Sequence, residues 1–118
     1  MPEFMYLYRG GAPQSGDLSP REMEAHMAKW DAWVRELEER GAFRTANALS
    51  TGGRTVGPQG VVRDGPFPES KEVVGGYSLV SAAHLDEAAE LAGGCPIFEF
   101  GGHVEVRPIV DRCLEPDG

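Results

Sequence analysis

His26 and Asp64 are the two side chains of this 118-residue sequence whose type and setting best suit them to moving a proton. His26 lies three residues after Met23 and four before Trp30, which places it at the edge of an apolar helical stripe rather than on a solvent face. An imidazole held there by a carboxylate would serve as a general acid or base. The plainer reading is a histidine at the core margin whose ring nitrogens are satisfied by backbone or water. Asp64 opens the run Asp64-Gly65-Pro66-Phe67-Pro68-Glu69-Ser70-Lys71-Glu72. Gly65 and Pro66 fix the backbone, so the Asp64 carboxylate should leave a strand in one direction, at a sheet edge or pocket mouth. It would then either fix the His26 tautomer and stabilise the imidazolium, or simply bond its own turn.

A second group lies near the end of the chain. His103, Glu105 and Arg107 alternate with Val104 and Val106, so the three ionisable residues share one face of a strand. They would line a cavity between subunits or form a polar face with a Glu105–Arg107 ion pair, and Arg107 has the shape to grip a substrate carboxylate through two hydrogen bonds. Tyr77 is a second candidate to hold an anionic or phenolic substrate. Lys71, with Glu69 and Glu72, reads as a charged loop or as the rim of a pocket. His26, Asp64, His103 and Glu105 are of zinc-binding types, but no metal-binding spacing joins them and no metal is expected. Ser78 and Ser81 lack a nucleophile elbow, and no glycine-rich loop opens a helix, so neither a serine hydrolase nor a nucleotide cofactor is expected.

The elements that must position these residues follow from periodicity. Glu3 to Arg9 reads as a central strand, with Phe4, Tyr6 and Tyr8 on one face and Met5 and Leu7 on the other. Ser19-Pro20-Arg21-Glu22 is a helix start in which Ser19 caps and Glu22 returns the bond. The helix runs to Arg40 and stops at Gly41, with Met23, Met27, Trp30, Val34 and Leu37 as its buried stripe and Trp30 at the centre. Phe43 to Leu49 is a second strand, Thr51 to Arg63 a loose hairpin, and Val73 to Ala82 a third main strand. Leu85 to Ala92 is a short helix ended by Gly93-Gly94. Cys95 to Phe100 reads as extended, and His103 to Ile109 as the last strand.

Strand, helix, strand, strand, helix, strand is the order of a split βαβ unit, an α+β ferredoxin-like fold with an antiparallel sheet and both helices on one face. The other face would be bare. Five phenylalanines, three tyrosines and two tryptophans need cover, so a homodimer closed through that face, a dimeric α/β barrel, is expected.

Three segments resemble the DGPF branch of the YCII-related family, in order. They are the helix carrying His26, Trp30 and the terminal Gly41, the Asp64 to Glu72 run, and the closing Val104-Glu105-Val106-Arg107-Pro108 strand. The resemblance spans nearly the whole chain and implies a ferredoxin-like domain that dimerises through its sheet, with a histidine and an aspartate as acid and base in a pocket. A dehydrochlorinase acting on an aromatic ring intermediate is the best-known activity associated with that family. The chain departs from the pattern in a shorter Leu49–Asp64 segment and in having His103 where a small residue is commoner. Two functions follow from the resemblance. One is a cofactor-independent lyase or isomerase acting through His26 and Asp64 on a small anionic or aromatic substrate. The other is a non-catalytic small-molecule-binding or regulatory module, since related genes accompany those of extracytoplasmic-function sigma factors.

Composition narrows the partners. The length suits one domain over residues 1–118, and 41% hydrophobic with 25% charged residues is ordinary for a globular chain. Eleven basic against nineteen acidic residues give a net charge of −8, which argues against nucleic acid. No apolar stretch approaches the roughly 20 residues that span a bilayer, and no leader pattern opens the sequence, so a cytoplasmic protein is expected. Cys95 and Cys113 are too few for a disulfide framework and read as reduced thiols or packing residues.

Overall fold

The structure, a computed structural model, describes residues 1–11, 18–50, 52–64 and 73–110, with residues 63 and 64 described by backbone alone. Its elements are β1 (Glu3–Arg9), α1 (Pro20–Glu39), β2 (Phe43–Ala48), β3 (Arg54–Val56), β4 (Val62–Asp64), β5 (Val74–Ser81), α2 (Leu85–Ala92) and β6 (His103–Pro108). Four strands form an antiparallel sheet in the order β2-β5-β1-β6. With the helices intervening in the order given, this is the ferredoxin-like α+β arrangement expected from the sequence. β3 and β4 form a separate hairpin around a short 3-10 turn at Pro58–Gly60. Among the described residues no helix is long and apolar enough to cross a membrane.

Local chemistry explains the element ends. Ser19 Oγ accepts from the Glu22 amide at 3.1 Å, and the Glu22 carboxylate accepts from the Ser19 amide at 3.0 Å, so the reciprocal cap is complete. Gly41, at φ 72°, takes the left-handed conformation that stops α1.

Both helices cover the β1 face that carries Phe4, Tyr6 and Tyr8. Tyr6 is fully buried, stacks on Trp33 at a centroid distance of 6.1 Å, and donates its hydroxyl to the Ala88 carbonyl of α2 at 2.6 Å. Val80 and Leu37 complete the centre of this layer.

Two expectations need correction. The buried positions of α1 are His26, Trp33 and Leu37, while Met23 and Met27 are 37% and 50% exposed and Trp30 is half-buried. The helix is therefore rolled relative to the expected stripe. Trp33 fills the sheet-facing volume assigned to Trp30, and His26 lies inside the stripe, which runs 26, 30, 33, 37. The two methionines drew the apolar moment toward themselves, yet they border a cleft instead of the core. The second correction is that Pro96–Phe100 is a 3-10 helix, not an extended segment. Pro96 at its first position and Gly101 at φ 75° favour a tight turn, and buried Ile97 pins it.

Candidate functional site

The 3-10 turn brings a carboxylate to the buried histidine. Its position depends on two glycines: a Cβ on Gly102 would meet Ile97 Cγ1 at 2.5 Å and the Gly11 Cα at 2.8 Å, and a Cβ on Gly11 would meet the same Ile97 atom at 2.5 Å. Only bare backbone lets the two chain segments cross there. The turn is thereby held against α1, with Phe100 edge-on to the His26 ring at 4.6 Å and Glu99 Oε1 at 2.7 Å from His26 Nδ1. The other Glu99 oxygen accepts from Lys29.

The second imidazole nitrogen is also engaged. Trp30 Nε1 lies 3.1 Å from His26 Nε2. An indole N–H can only donate, so Nε2 must accept and the ring proton must sit on Nδ1, where it is donated to Glu99. The Lys29 ammonium and then the His26 N–H hold the Glu99 carboxyl below its ordinary range. Glu99 therefore stays ionised at neutral pH as the counter-charge for an imidazolium. A carboxyl of lowered pKa stabilises the fold above its ordinary titration range, and that contribution is lost as the pH falls through its lowered value.

His26 is 5% exposed and stands in the wall of a cleft of about 410 Å³ between α1 and the sheet. Met23, Met27 and Trp30 form its helix side, and Tyr8, Gly76 and Ser78 form its floor. Tyr8 and Ser78 share a 2.5 Å hydrogen bond between hydroxyls, and burial pushes the Tyr8 phenol well above its usual pKa, so it stays neutral. This size and this mostly apolar lining with a few polar groups suit a small ligand. A larger hollow of about 670 Å³ lies between the C-terminal part of α1 and α2, lined by Glu36, Arg40, Glu87 and Glu90. Glu36 and Arg40 there already pair at 3.2 Å, and among the described residues of its lining none is both buried and ionisable, so the smaller cleft is the better candidate.

Residues 5–112 match the YCII-related domain. The chain belongs to the YCII-related family. Among solved structures this YCII-related chain is similar to the 5-chloro-2-hydroxyhydroquinone dehydrochlorinase from Burkholderia phenoliruptrix AC1100, in complex with 2,5-dihydroxybenzoquinone. The two share 18% identity over 92% of this chain and 93% of the other, with a TM-score of 0.49. Comparison with curated proteins gives no match.

The candidate residues fall on two sides of the sheet. Of the described candidate side chains, His26 is the one that lines the cleft. Tyr77, His103, Glu105 and Arg107 lie on the opposite, open face: Tyr77 pairs with Leu7 in register, and Glu105 is bonded to Arg9 at 2.8 Å and Arg107 at 3.1 Å. The Glu105–Arg107 ion pair is thus present, and Arg9, then Arg107, lower the Glu105 carboxyl. Tyr77 accepts from Asn47 Nδ2 at 3.0 Å. Asp64 ends β4 opposite Arg54, with its side chain outside the described atoms, and Lys71 lies outside the described residues.

Sequence reasoning missed Glu99, Tyr8 and Ser78. Glu99 had one signal, being a lone carboxylate in the apolar run Pro96-Ile97-Phe98-Glu99-Phe100. Among the described residues no three His, Cys, Asp or Glu side chains cluster as metal ligands. Burial pushes the Cys95 thiol up to about 12, which leaves it without a thiolate at neutral pH.

Proposed function

We propose that this chain is a cofactor-independent enzyme of the lyase or isomerase type, in which the cleft takes up a small molecule and His26 moves a proton on it. The observation that carries this reading is a buried imidazole in the wall of an apolar cleft, with Nδ1 held 2.7 Å from an ionised Glu99. The ring is in its base form at Nε2. In an elimination, Nε2 would take a proton from a substrate carbon, the C–H electron pair would form the new double bond, and the neighbouring leaving group would depart with its electrons. Glu99 stabilises the imidazolium until the proton passes on to the leaving group or to water. Asp64 is proposed as a second acid–base carboxyl on the strength of the Asp64–Glu72 run. The test is base-catalysed ring opening of nitrobenzisoxazole, an uncharged flat probe whose reaction needs only a base, in the parent and in His26→Ala. Equal rates would remove catalysis from the reading.

One observation favours binding without reaction. Trp30 already occupies the Nε2 lone pair, so a substrate must displace the indole before His26 can act. A chain that only holds a ligand would keep that bond on binding.

We further propose that a second copy covers the open sheet face. Met5, Leu7 and Leu79 are only half-buried there, and the Arg9–Glu105–Arg107 network and His103 would sit at the rim of the joint. Tyr77, Glu105 and Arg107 would then act from the subunit junction. Sedimentation at micromolar concentration should give twice the 12.7 kDa chain mass. A 12.7 kDa species would leave the face without its proposed cover.

A further inference from the structure

We propose that the buried hydroxyl pair of Tyr8 and Ser78 is the anchor for the ligand's oxygen atom, and that the cleft selects an uncharged molecule bearing a carbonyl or hydroxyl oxygen. This rests on the reading of the cleft as a ligand site and narrows its substrate class. Tyr8 is 8% exposed and Ser78 2%, and both line the cleft. Their oxygens lie 2.5 Å apart, a single hydrogen bond in which either atom is the donor. Two hydroxyls carry two O–H groups, and one bond uses one of them. Whichever residue donates, one O–H is left over, and among the described residues it has no acceptor. Both residues line the cleft, so an oxygen of a ligand held there can accept that O–H.

The surroundings set the rest of the preference. Trp30 stands edge-on to Tyr8 at 5.2 Å and to His26 at 6.4 Å, so the hydroxyl pair and the imidazole adjoin one indole. A flat ring lying against Trp30, with the two methionine thioethers at the mouth, would reach both. No Lys or Arg is among the described residues of the lining, so a carboxylate or phosphate ligand would lose its hydration without gaining a counter-charge. Arg107, the sequence-based candidate for an anionic substrate, is on the other face of the sheet. Gly76 belongs to the same design: a Cβ there would meet the Asn47 carbonyl at 2.9 Å and Tyr8 Cδ2 at 3.6 Å, so the floor beside the hydroxyl pair is kept thin and close.

The test is the binding of phenol, toluene and benzoate to the parent protein, followed by tryptophan fluorescence and ligand-observed NMR. Phenol should bind more tightly than its near-isostere toluene, against the order of their hydrophobicity, and benzoate should bind more weakly than either. Because each hydroxyl can serve the ligand when the other is gone, Tyr8→Phe and Ser78→Ala should each keep the phenol preference. The double variant should lose it by about fivefold to tenfold while toluene affinity is unchanged, the share of one hydrogen bond. Equal affinity for phenol and toluene in the parent overturns the anchor without any variant, and leaves the cleft as a plain apolar site. A double variant that keeps the preference overturns it as well. Absence of binding by all three probes overturns the anchor together with the reading of the cleft.

Discussion

Trp33→Ala should lower unfolding free energy by about 3–5 kcal/mol, the range for deleting a buried indole. Trp33 is 5% exposed, stacks on the fully buried Tyr6, meets Tyr8 edge-on at 6.4 Å, and donates its indole N–H to the Leu91 carbonyl at 3.2 Å. The substitution opens a cavity between both helices and the sheet and also removes the N–H donor from the Leu91 carbonyl in the last turn of α2. Trp30→Ala should cost less, about 1–3 kcal/mol, because Trp30 is half-buried and its loss chiefly frees the His26 Nε2 bond and one side of Tyr8. Denaturant melts of the two variants give the order directly. A Trp33→Ala loss under about 1 kcal/mol, or one smaller than that of Trp30→Ala, would mean that α1 is rolled the other way.

The rate of nitrobenzisoxazole ring opening should fall by roughly 100-fold or more in His26→Ala, the typical contribution of a positioned general base. The base removes the ring C–H proton as the N–O bond breaks, and the cyanonitrophenolate released is read by absorbance. Three features of the site argue for an effect of this size. The imidazole is shielded from water, its proton is fixed on Nδ1, and an ionised carboxylate is in place for the positive charge that develops. Glu99→Gln should lie between the parent and His26→Ala, since the amide still accepts the Nδ1 proton but supplies no counter-charge. Far-UV circular dichroism on each variant separates loss of the base from loss of the fold. If His26→Ala keeps the parent rate, the cleft binds without catalysing.

The strand and helix order was legible because each element carries its own local signal. Ser19, Pro20 and Glu22 cap α1, Gly41 ends it, β6 alternates cleanly, and β1 is apolar on both faces as a central strand is. The antiparallel order of the sheet then follows from connection rules. The rotation of α1 was not legible, because Met23 and Met27 are as apolar as core residues and only the cleft explains their exposure. His26 was found through its place on that helix. Its carboxylate partner was not, since Glu99 reaches it across 73 positions through a 3-10 turn whose apolar composition reads equally well as a strand. Tyr8 and Ser78 looked like ordinary strand residues, and their pairing across β1 and β5 exists only in the folded register.

Glu99 at Nδ1 and the Trp30 N–H at Nε2 together fix the His26 imidazole as a base with its proton on Nδ1. The nitrogen-15 spectrum of the His26 ring at mildly alkaline pH tests this central claim most directly. The parent should show a protonated Nδ1 and a bare, hydrogen-bonded Nε2, and in Glu99→Ala the Nδ1 resonance should move as that N–H loses its carboxylate acceptor while Trp30 still donates to Nε2. A parent ring protonated at Nε2, or a spectrum that Glu99→Ala leaves unchanged, would contradict it.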